Sequence, residues 1–453
     1  MDGQLLVRTY NVGLGDCIYL CIPDVQRKVH VLIDCGNKFG SLDRLGECIE
    51  HLKGDLPQDE NGKHVLDLLV VSHPHEDHHK GFEEAFFDGL QIKNLWLSPA
   101  YDDQNPKAHG FRALQAAGER ALNSLMELAQ SEDVRADLAE MLSLTKSEAI
   151  QMLRFTLPER SGIQVRYVSA DTPPEDLFVF EDPEICLKVL GPMEDIDGFY
   201  LGGEGAPPVQ EDSNELGLAE RYAVMFPKTA ALSGETPKNI SSQDFRTLRS
   251  HMSDSALAAA SLAGHMANNL SVVLLLEWHG RRLLFTGDAE WNGAYRGAVE
   301  KGRSNGSWNV MWQEKAADLS TPLDFLKVGH HGSKNATPWT GKKNKKGEFH
   351  PINAILDALL PLPTESQQPI AFAVVSTERT SRWPSIPDPA LMEELGRRVA
   401  NVCDQYTEDH HHTHVPDGRF QPQRTDLEGQ VVSAGGEPVE CIEVFFNRKE
   451  PNS

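Results

Sequence analysis

The sequence predicts an α/β protein in which two β-rich stretches flank a mostly helical middle. Short runs rich in apolar and β-branched residues fill the first hundred positions and return from about residue 268. Between them, leucines recur at helical spacing. In both β-rich stretches the side chains able to do chemistry gather just past the C-terminal end of a strand. These features imply two sheets packed together, helices outside, and a site along one rim.

QLLVRTY (4–10), CIYLCI (17–22) and KVHVLID (28–34) read as strands, separated by the turn-like NVGLGD and IPDVQR. Residues 41–53 suit a helix, HVLDLLVVS (64–72) a buried strand, and NLWLS (94–98) another. From Phe111 to Thr156 the periodicity turns helical: Leu114, Leu122, Leu125, Leu128, Leu138, Leu142 and Ile150 fall at spacings of three, four and their sums. Thr145 with Glu148 makes a capping-box pattern. GIQVRYVSA (162–170) and EICLKVLGP (184–192) return to strands, and a polar stretch over 193–265 carries a helix near Gln243–Met252. NNLSVVLLLEWHGRRLLFTGD (268–288) is a hairpin whose second strand ends in Gly287-Asp288. DFLKVGHHGS (324–333) and IAFAVVST (370–377) supply two more strands before a helix at 389–400. The organisation expected is one domain over 1–453, with helical insertions at 105–160 and 195–265 and a C-terminal extension over 400–453.

Of the 453 residues, 43 are Lys or Arg and 67 Asp or Glu, a formal net charge of −24. That excess argues against a protein that coats nucleic acid nonspecifically, because phosphates would be repelled over most of its surface. A nuclease that binds through metals and one basic patch stays open. Seven scattered cysteines read as reduced thiols of a cytoplasmic protein. MDGQLLVRTYNVG lacks the basic start and apolar run of a secretory signal, and no segment reaches the roughly 18 apolar residues of a membrane span. No membrane partner is expected.

The densest chemistry lies in LDLLVVSHPHEDHHKGF (66–82), where an apolar strand runs into His73, His75, Asp77, His78 and His79. Imidazoles and carboxylates crowded together gain little from burial and leave polar atoms that need partners. A divalent cation supplies them. With the backbone turning after Val71, His73 and His75 can share one cation, while Asp77 and His78 point into neighbouring space and can hold a second. Asp288, beside Gly287, is the natural acid to bridge two metals about 4 Å apart.

SHPHEDHHKGF, LLFTGD and the Ile-Asp ending at Asp34 resemble the metallo-β-lactamase fold superfamily. YNVGLGDCIYL, NNLSVVLLLEW…LLFTGDAE and LKVGHHGSKNAT are similar to blocks of the metallo-β-lactamase domain of the ComEC competence proteins. The blocks occur in the right order, while the helical insertions lie outside the resemblance. It implies a four-layer αββα sandwich with one or two divalent ions, zinc or manganese, at one edge. It also implies hydrolysis of phosphodiesters in DNA or RNA, or of a related ester, by a metal-activated hydroxide. The ligands implied are His73, His75, Asp77, His78, Asp288 and His330, with Asp34 and Asp16 orienting them from behind. Asp77, His330 and His331 would be catalytic, and which of the two late histidines binds metal, contacts phosphate or protonates the leaving group is open.

Two departures from the superfamily bear on the ligand count. Asn268 and Asn269 stand where many relatives have a ligand histidine, an asparagine pair that the ComEC-like proteins share. Ile386 precedes Pro387 where relatives carry a His-Pro, which would remove one ligand of the second metal unless His412 or His414 replaces it. Ser333, Lys334, Asn268 and Asn269 are the candidate substrate contacts. Lys334, Lys342, Lys343, Lys345 and Lys346, with Trp339 among them, could channel a nucleic acid. The competing readings are a lactonase, thioesterase or cyclic-nucleotide phosphodiesterase, and an inactive interaction subunit that binds a protein partner through its helical insertions.

Overall fold

The computed structural model describes residues 3–38, 40–116, 118, 148–201, 264–364, 369–377, 386–404, 431–432, 438–439 and 441–449. The Thr145 cap, the helix near Gln243–Met252, His412, His414 and most of both insertions lie outside them. In chain order the strands begin with β1 Leu5–Tyr10, β2 Ile18–Pro23, β3 Lys28–Ile33, β4 His64–Leu66, β5 Leu68–Val71, β6 Leu90–Ile92, β7 Leu95–Leu97 and β8 Val165–Tyr167. They continue with β9 Ile185–Gly191, β10 Val273–Trp278, β11 Arg281–Phe285, β12 Phe325–Val328, β13 Phe372–Val375, β14 Asn401–Asp404, β15 Val431–Val432, β16 Pro438–Val439 and β17 Cys441–Phe446.

The fold is mixed α/β. A seven-stranded sheet has the order β17-β1-β2-β3-β5-β7-β8 and a six-stranded sheet the order β14-β13-β12-β11-β10-β9. Each is antiparallel on one side and parallel on the other: β3, β5, β7 and β8 run parallel, as do β11, β12, β13 and β14. Parallel neighbours end on a common edge, the usual place for a site in α/β sheets. The chain beyond 400, expected as an extension, supplies strands to both sheets: β14 pairs with β13, and β17 returns to pair with β1.

Alternation along the strands explains the packing. Ile18, Leu20 and Ile22 of β2 meet Leu274, Leu276 and Trp278 of β10 in one core shared by the two sheets. The intervening Tyr19 points the other way, into a cluster with Leu45, Cys48, Ile49 and Leu52 of the helix Leu42–Asp55. On the second sheet, Val273 and Leu275 join Met311, Leu356 and Leu395 from the helices Ser307–Glu314, Asn353–Leu359 and Pro389–Arg398. Helices therefore cover the outer face of each sheet. Each such leucine or isoleucine contributes about 1.5–3 kcal/mol by leaving water. Local chemistry agrees with these boundaries. Ser41 caps the first helix by accepting the Arg44 N–H at 3.2 Å, and Asp388 caps the last by accepting Leu391 N–H at 2.9 Å. No helix among the described residues is long and apolar enough to cross a membrane.

Candidate metal centre

Four strand ends deliver the site. β3 ends at Ile33, and Asp34 follows with φ +59°, a left-handed conformation that Asp tolerates better than bulkier residues. β5 ends at Val71, and the chain turns into the four-residue helix Glu76–His79. Gly36 lets the loop after β3 lie against that helix, since a Cβ there would stand 2.5 Å from the backbone of Asp77 and His78. From the second sheet, β11 leads through Gly287 (φ +50°) to Asp288. β12 leads to His330 and His331, both left-handed at φ +44° and +54°.

These turns aim the side chains at one another. Asp77, His78, Asp288 and His331 bring donor atoms within 4.8 Å of one another, and His73, His75 and Asp288 form a second such group. Asp288 belongs to both. His73 Nε2 is 3.0 Å from His75 Nδ1, His78 Nε2 is 3.2 Å from Asp288 Oδ1, and His331 Nε2 is 2.9 Å from Asp77 Oδ2. Donors bound at about 2.0–2.2 Å to one cation stand roughly 3 Å apart, so these separations suit coordination. His73, His78 and Asp288 are fully buried, and His75 is half-buried.

Groups behind the ligands fix their orientation. Asp34 accepts the Ser72 N–H and Oγ–H, each at 2.6 Å, and His78 Nδ1 at 2.8 Å, which turns His78 Nε2 toward Asp288. His331 Nδ1 donates to the Ser376 carbonyl at 2.9 Å, leaving Nε2 for Asp77. The Asp288 N–H donates to Ser271 Oγ at 2.9 Å, while its Oδ1 accepts the His330 N–H at 2.9 Å. Asp16 lies farther back, paired with a buried lysine, Lys327 Nζ, at 2.8 Å.

Burial pushes the His75 imidazole down to about 4 and that of His73 well below its ordinary range, so both are neutral and ligand-ready near pH 7. Burial alone would raise Asp77 and Asp288. For Asp77 the His331 hydrogen bond and the nearby His78 charge outweigh it; for Asp288 His78, His330 and His73 do. Both carboxylates are held well below their usual range. Burial would likewise lower His78, but Asp288 and Asp34 on its two sides raise it well above the ordinary value. Among the described residues, His75 Nε2, His78 Nε2 and Asp288 Oδ2 are buried without a hydrogen-bond partner. Orphaned polar atoms of this kind are costly in a closed fold and are the ones a cation would satisfy, so the residues present fit a bound metal.

The expected residues separate on inspection. His331, and not His330, joins the four-donor group. His330 Nε2 stands 4.0 Å from Asp288 Oδ2, and its Nδ1 faces Glu290 Oε1 at 3.3 Å. The four-donor group thus already includes a late histidine, although Ile386 offers no ligand nitrogen. Asn268 is buried and donates to Glu290 Oε1 at 2.8 Å. Asn269 is engaged within the fold, donating to the His265 carbonyl and accepting the Ser307 N–H. Ser333 Oγ turns to Asn335, and Lys334 is exposed.

Sequence reasoning missed Glu290, which gathers His265, Asn268 and His330 around one buried carboxylate. Burial opposes its ionisation, yet bonds from His265 and His330 bring it down to about 2. Its place two residues after Asp288 was the available signal. His79 was part of the histidine run but stands apart from both donor groups, near Tyr101 Oη at 3.4 Å. Set against known proteins, the chain matches no family model, and no curated protein matches it.

Proposed function

We propose that this rim is a two-cation hydrolytic centre that cleaves phosphodiesters of DNA or RNA, within a metallo-β-lactamase-type αββα sandwich. The observation that carries the reading is Asp288, a buried carboxylate shared by two histidine-bearing donor groups in which His75 Nε2, His78 Nε2 and Asp288 Oδ2 lack hydrogen-bond partners among the described residues. Helices outside two stacked sheets, with the site at the ends of parallel strands, support the fold that the sequence resemblance implies.

His73 and His75 with Asp288 would hold one cation, and Asp77, His78 and His331 with Asp288 the other. Cations held there would polarise a diester and make water a nucleophile at neutral pH. The chain's own groups divide the remaining work. Asp34 fixes the imidazole of His78, and the Ser376 carbonyl fixes that of His331, so neither must reorganise during turnover. His330 Nδ1 faces Glu290 Oε1 at 3.3 Å, and its side chain remains 27% exposed, which suits it to hand a proton to the departing oxygen.

The test is to load the full chain with manganese or zinc, count metal by mass spectrometry, and assay bis-p-nitrophenyl phosphate, DNA and RNA. Bound metal and diester cleavage are expected, with the rate falling more than about 100-fold in Asp77→Asn. A chain that retains no metal after loading, or an Asp77→Asn protein as active as the parent, removes the proposal.

A further inference from the structure

Beside the metal centre, a cavity of about 240 Å³ opens between the loop that follows His331 and the N-terminal turn of the helix Pro389–Arg398. Its walls include Lys334, Trp339, Lys342, Asp388, Ala390 and Leu391. We propose that this cavity receives one unpaired nucleobase, with the flanking phosphates of a single-stranded nucleic acid on its lysines. The inference rests on the phosphodiesterase reading and narrows its substrate to strands whose bases are free.

Size and lining favour a single ring. The cavity is smaller than the roughly 300–1,000 Å³ pockets that enclose drug-sized ligands. Trp339 is half-buried, its indole packed against the core of the second sheet. Gly341 lies against that ring: a Cβ there would stand 3.2 Å from Trp339 Cη2, so glycine leaves this part of the indole uncovered. Aromatic faces that stack bases without sequence preference are the usual platforms for single strands. Asp388, the one acid in the wall among the described residues, accepts the Leu391 N–H on Oδ1, and its other oxygen, which has no hydrogen bond among the described residues, can accept from an amino group on a base.

Charge favours a polyanion. Lys334, Lys342, Lys345 and Lys346 are exposed and carry no ion pair among the described residues, and Lys343 Nζ lies 4.4 Å over the ring of Phe349. Elsewhere, Lys53, Lys80, Lys93, Lys107, Lys188 and Lys301 all pair with acids. In a chain of net charge −24, unpaired lysines concentrated in one loop mark where phosphates would be tolerated. The loop is also tied to the catalytic rim. Asp388 N–H donates to the Gly332 carbonyl at 2.8 Å, one residue from His331, and Trp291 Nε1 donates to the Lys334 carbonyl at 3.3 Å.

The experiment measures binding apart from cleavage. Fluorescent single-stranded DNA and RNA of one sequence, the matching duplex, and polyglutamate are titrated into the full-length chain with chelator present. At least one single strand is expected to bind about tenfold more tightly than duplex or polyglutamate. Gly341→Leu, which adds bulk over the indole while keeping every charge, should weaken that binding about tenfold, as should Trp339→Leu. Replacing Lys334 and Lys342 by Gln should flatten the salt dependence by about 1.4 in log–log slope, from two phosphate contacts. Equal affinity for duplex or polyglutamate overturns the proposal, and so does a Gly341→Leu protein that binds like the parent. If single strands bind as expected but no diester is cut with metal present, the hydrolytic reading falls and the base pocket stands.

Discussion

The two ends of the stacked sheets use the same residue type for opposite purposes. At the end away from the site, Asp67 precedes β5 and Asp324 precedes β12. Each carboxylate accepts a backbone N–H from the neighbouring strand and is met by arginine: Asp67 by His30 N–H and Arg27, Asp324 by Arg282 N–H and Arg281. Following the same two strands to their other ends reaches His73–His79 and His330–His331. There Asp34, Asp77 and Asp288 face imidazoles, and polar atoms remain without partners among the described residues. Negative charge tied to guanidinium holds strands together. Negative charge left with neutral or shared-proton partners is available to a cation. The partner each carboxylate meets, more than residue type, separates the two ends.

The largest effect should come from breaking the site end without touching a ligand. Asn at position 34 keeps the shape and tolerates the positive φ, but it offers one acceptor oxygen where Asp34 serves Ser72 and His78 together. Asp34→Asn should lower metal affinity by about 10- to 100-fold while leaving the folded far-ultraviolet spectrum intact. Isothermal titration with zinc reads this directly, and unchanged affinity would show that His78 needs no orienting partner.

Asp324→Ala is the matching break at the opposite end. It removes the acceptor of Arg281 Nη1 and of the Arg282 N–H, leaving Arg281 only the Asn447 carbonyl among the described residues, while the rim stays whole. Loss of about 2–3 kcal/mol of unfolding free energy is expected, with metal content per chain unaltered. Urea unfolding of metal-free protein and mass spectrometry of the loaded protein check the two halves. Metal lost in proportion to stability would mean that the ends are coupled and the contrast between them too sharply drawn.

The same contrast explains what could be read from the chain beforehand. His73, His75, Asp77 and His78 lie within six positions after one apolar strand, so local spacing alone exposed them. Asp288 was legible because a Gly-Asp closes an apolar hairpin strand. Choosing between His330 and His331 was not, because both follow the same strand and the choice depends on two left-handed residues and on a carbonyl, Ser376, that no side-chain pattern encodes. Lys327 was hidden by its setting: in a four-residue strand a lysine suggests a solvent face, whereas this one is 1% exposed and reaches Asp16 from far along the chain. Strand alternation gave the sheets themselves, but β17 pairs with β1 across almost the whole sequence, a contact no window of residues contains.

The smallest expected effect, and the finest probe of the structural end, is the pH dependence of Asp67. Burial would raise its carboxyl, but the His30 N–H and the Arg27 and Lys93 side chains outweigh burial and hold it below the usual carboxylate value. Its ionised form is thus favoured by folding. The stability it contributes is fully present above the unfolded value of about 3.9 and is lost as pH falls through the lower folded value, because the unfolded chain takes up the proton first. Arg27 and Lys93 are 42% and 51% exposed, so solvent screens the pair and the contribution at neutral pH is about 1 kcal/mol. Urea midpoints of the parent and Asp67→Asn should therefore differ most near pH 7, converge as pH falls below about 3.9, and move closer in high salt. A gap that stays constant across that range would assign Asp67 a purely geometric part in holding β3 to β5, and the charge-based distinction between the two ends would then rest on Asp324 alone.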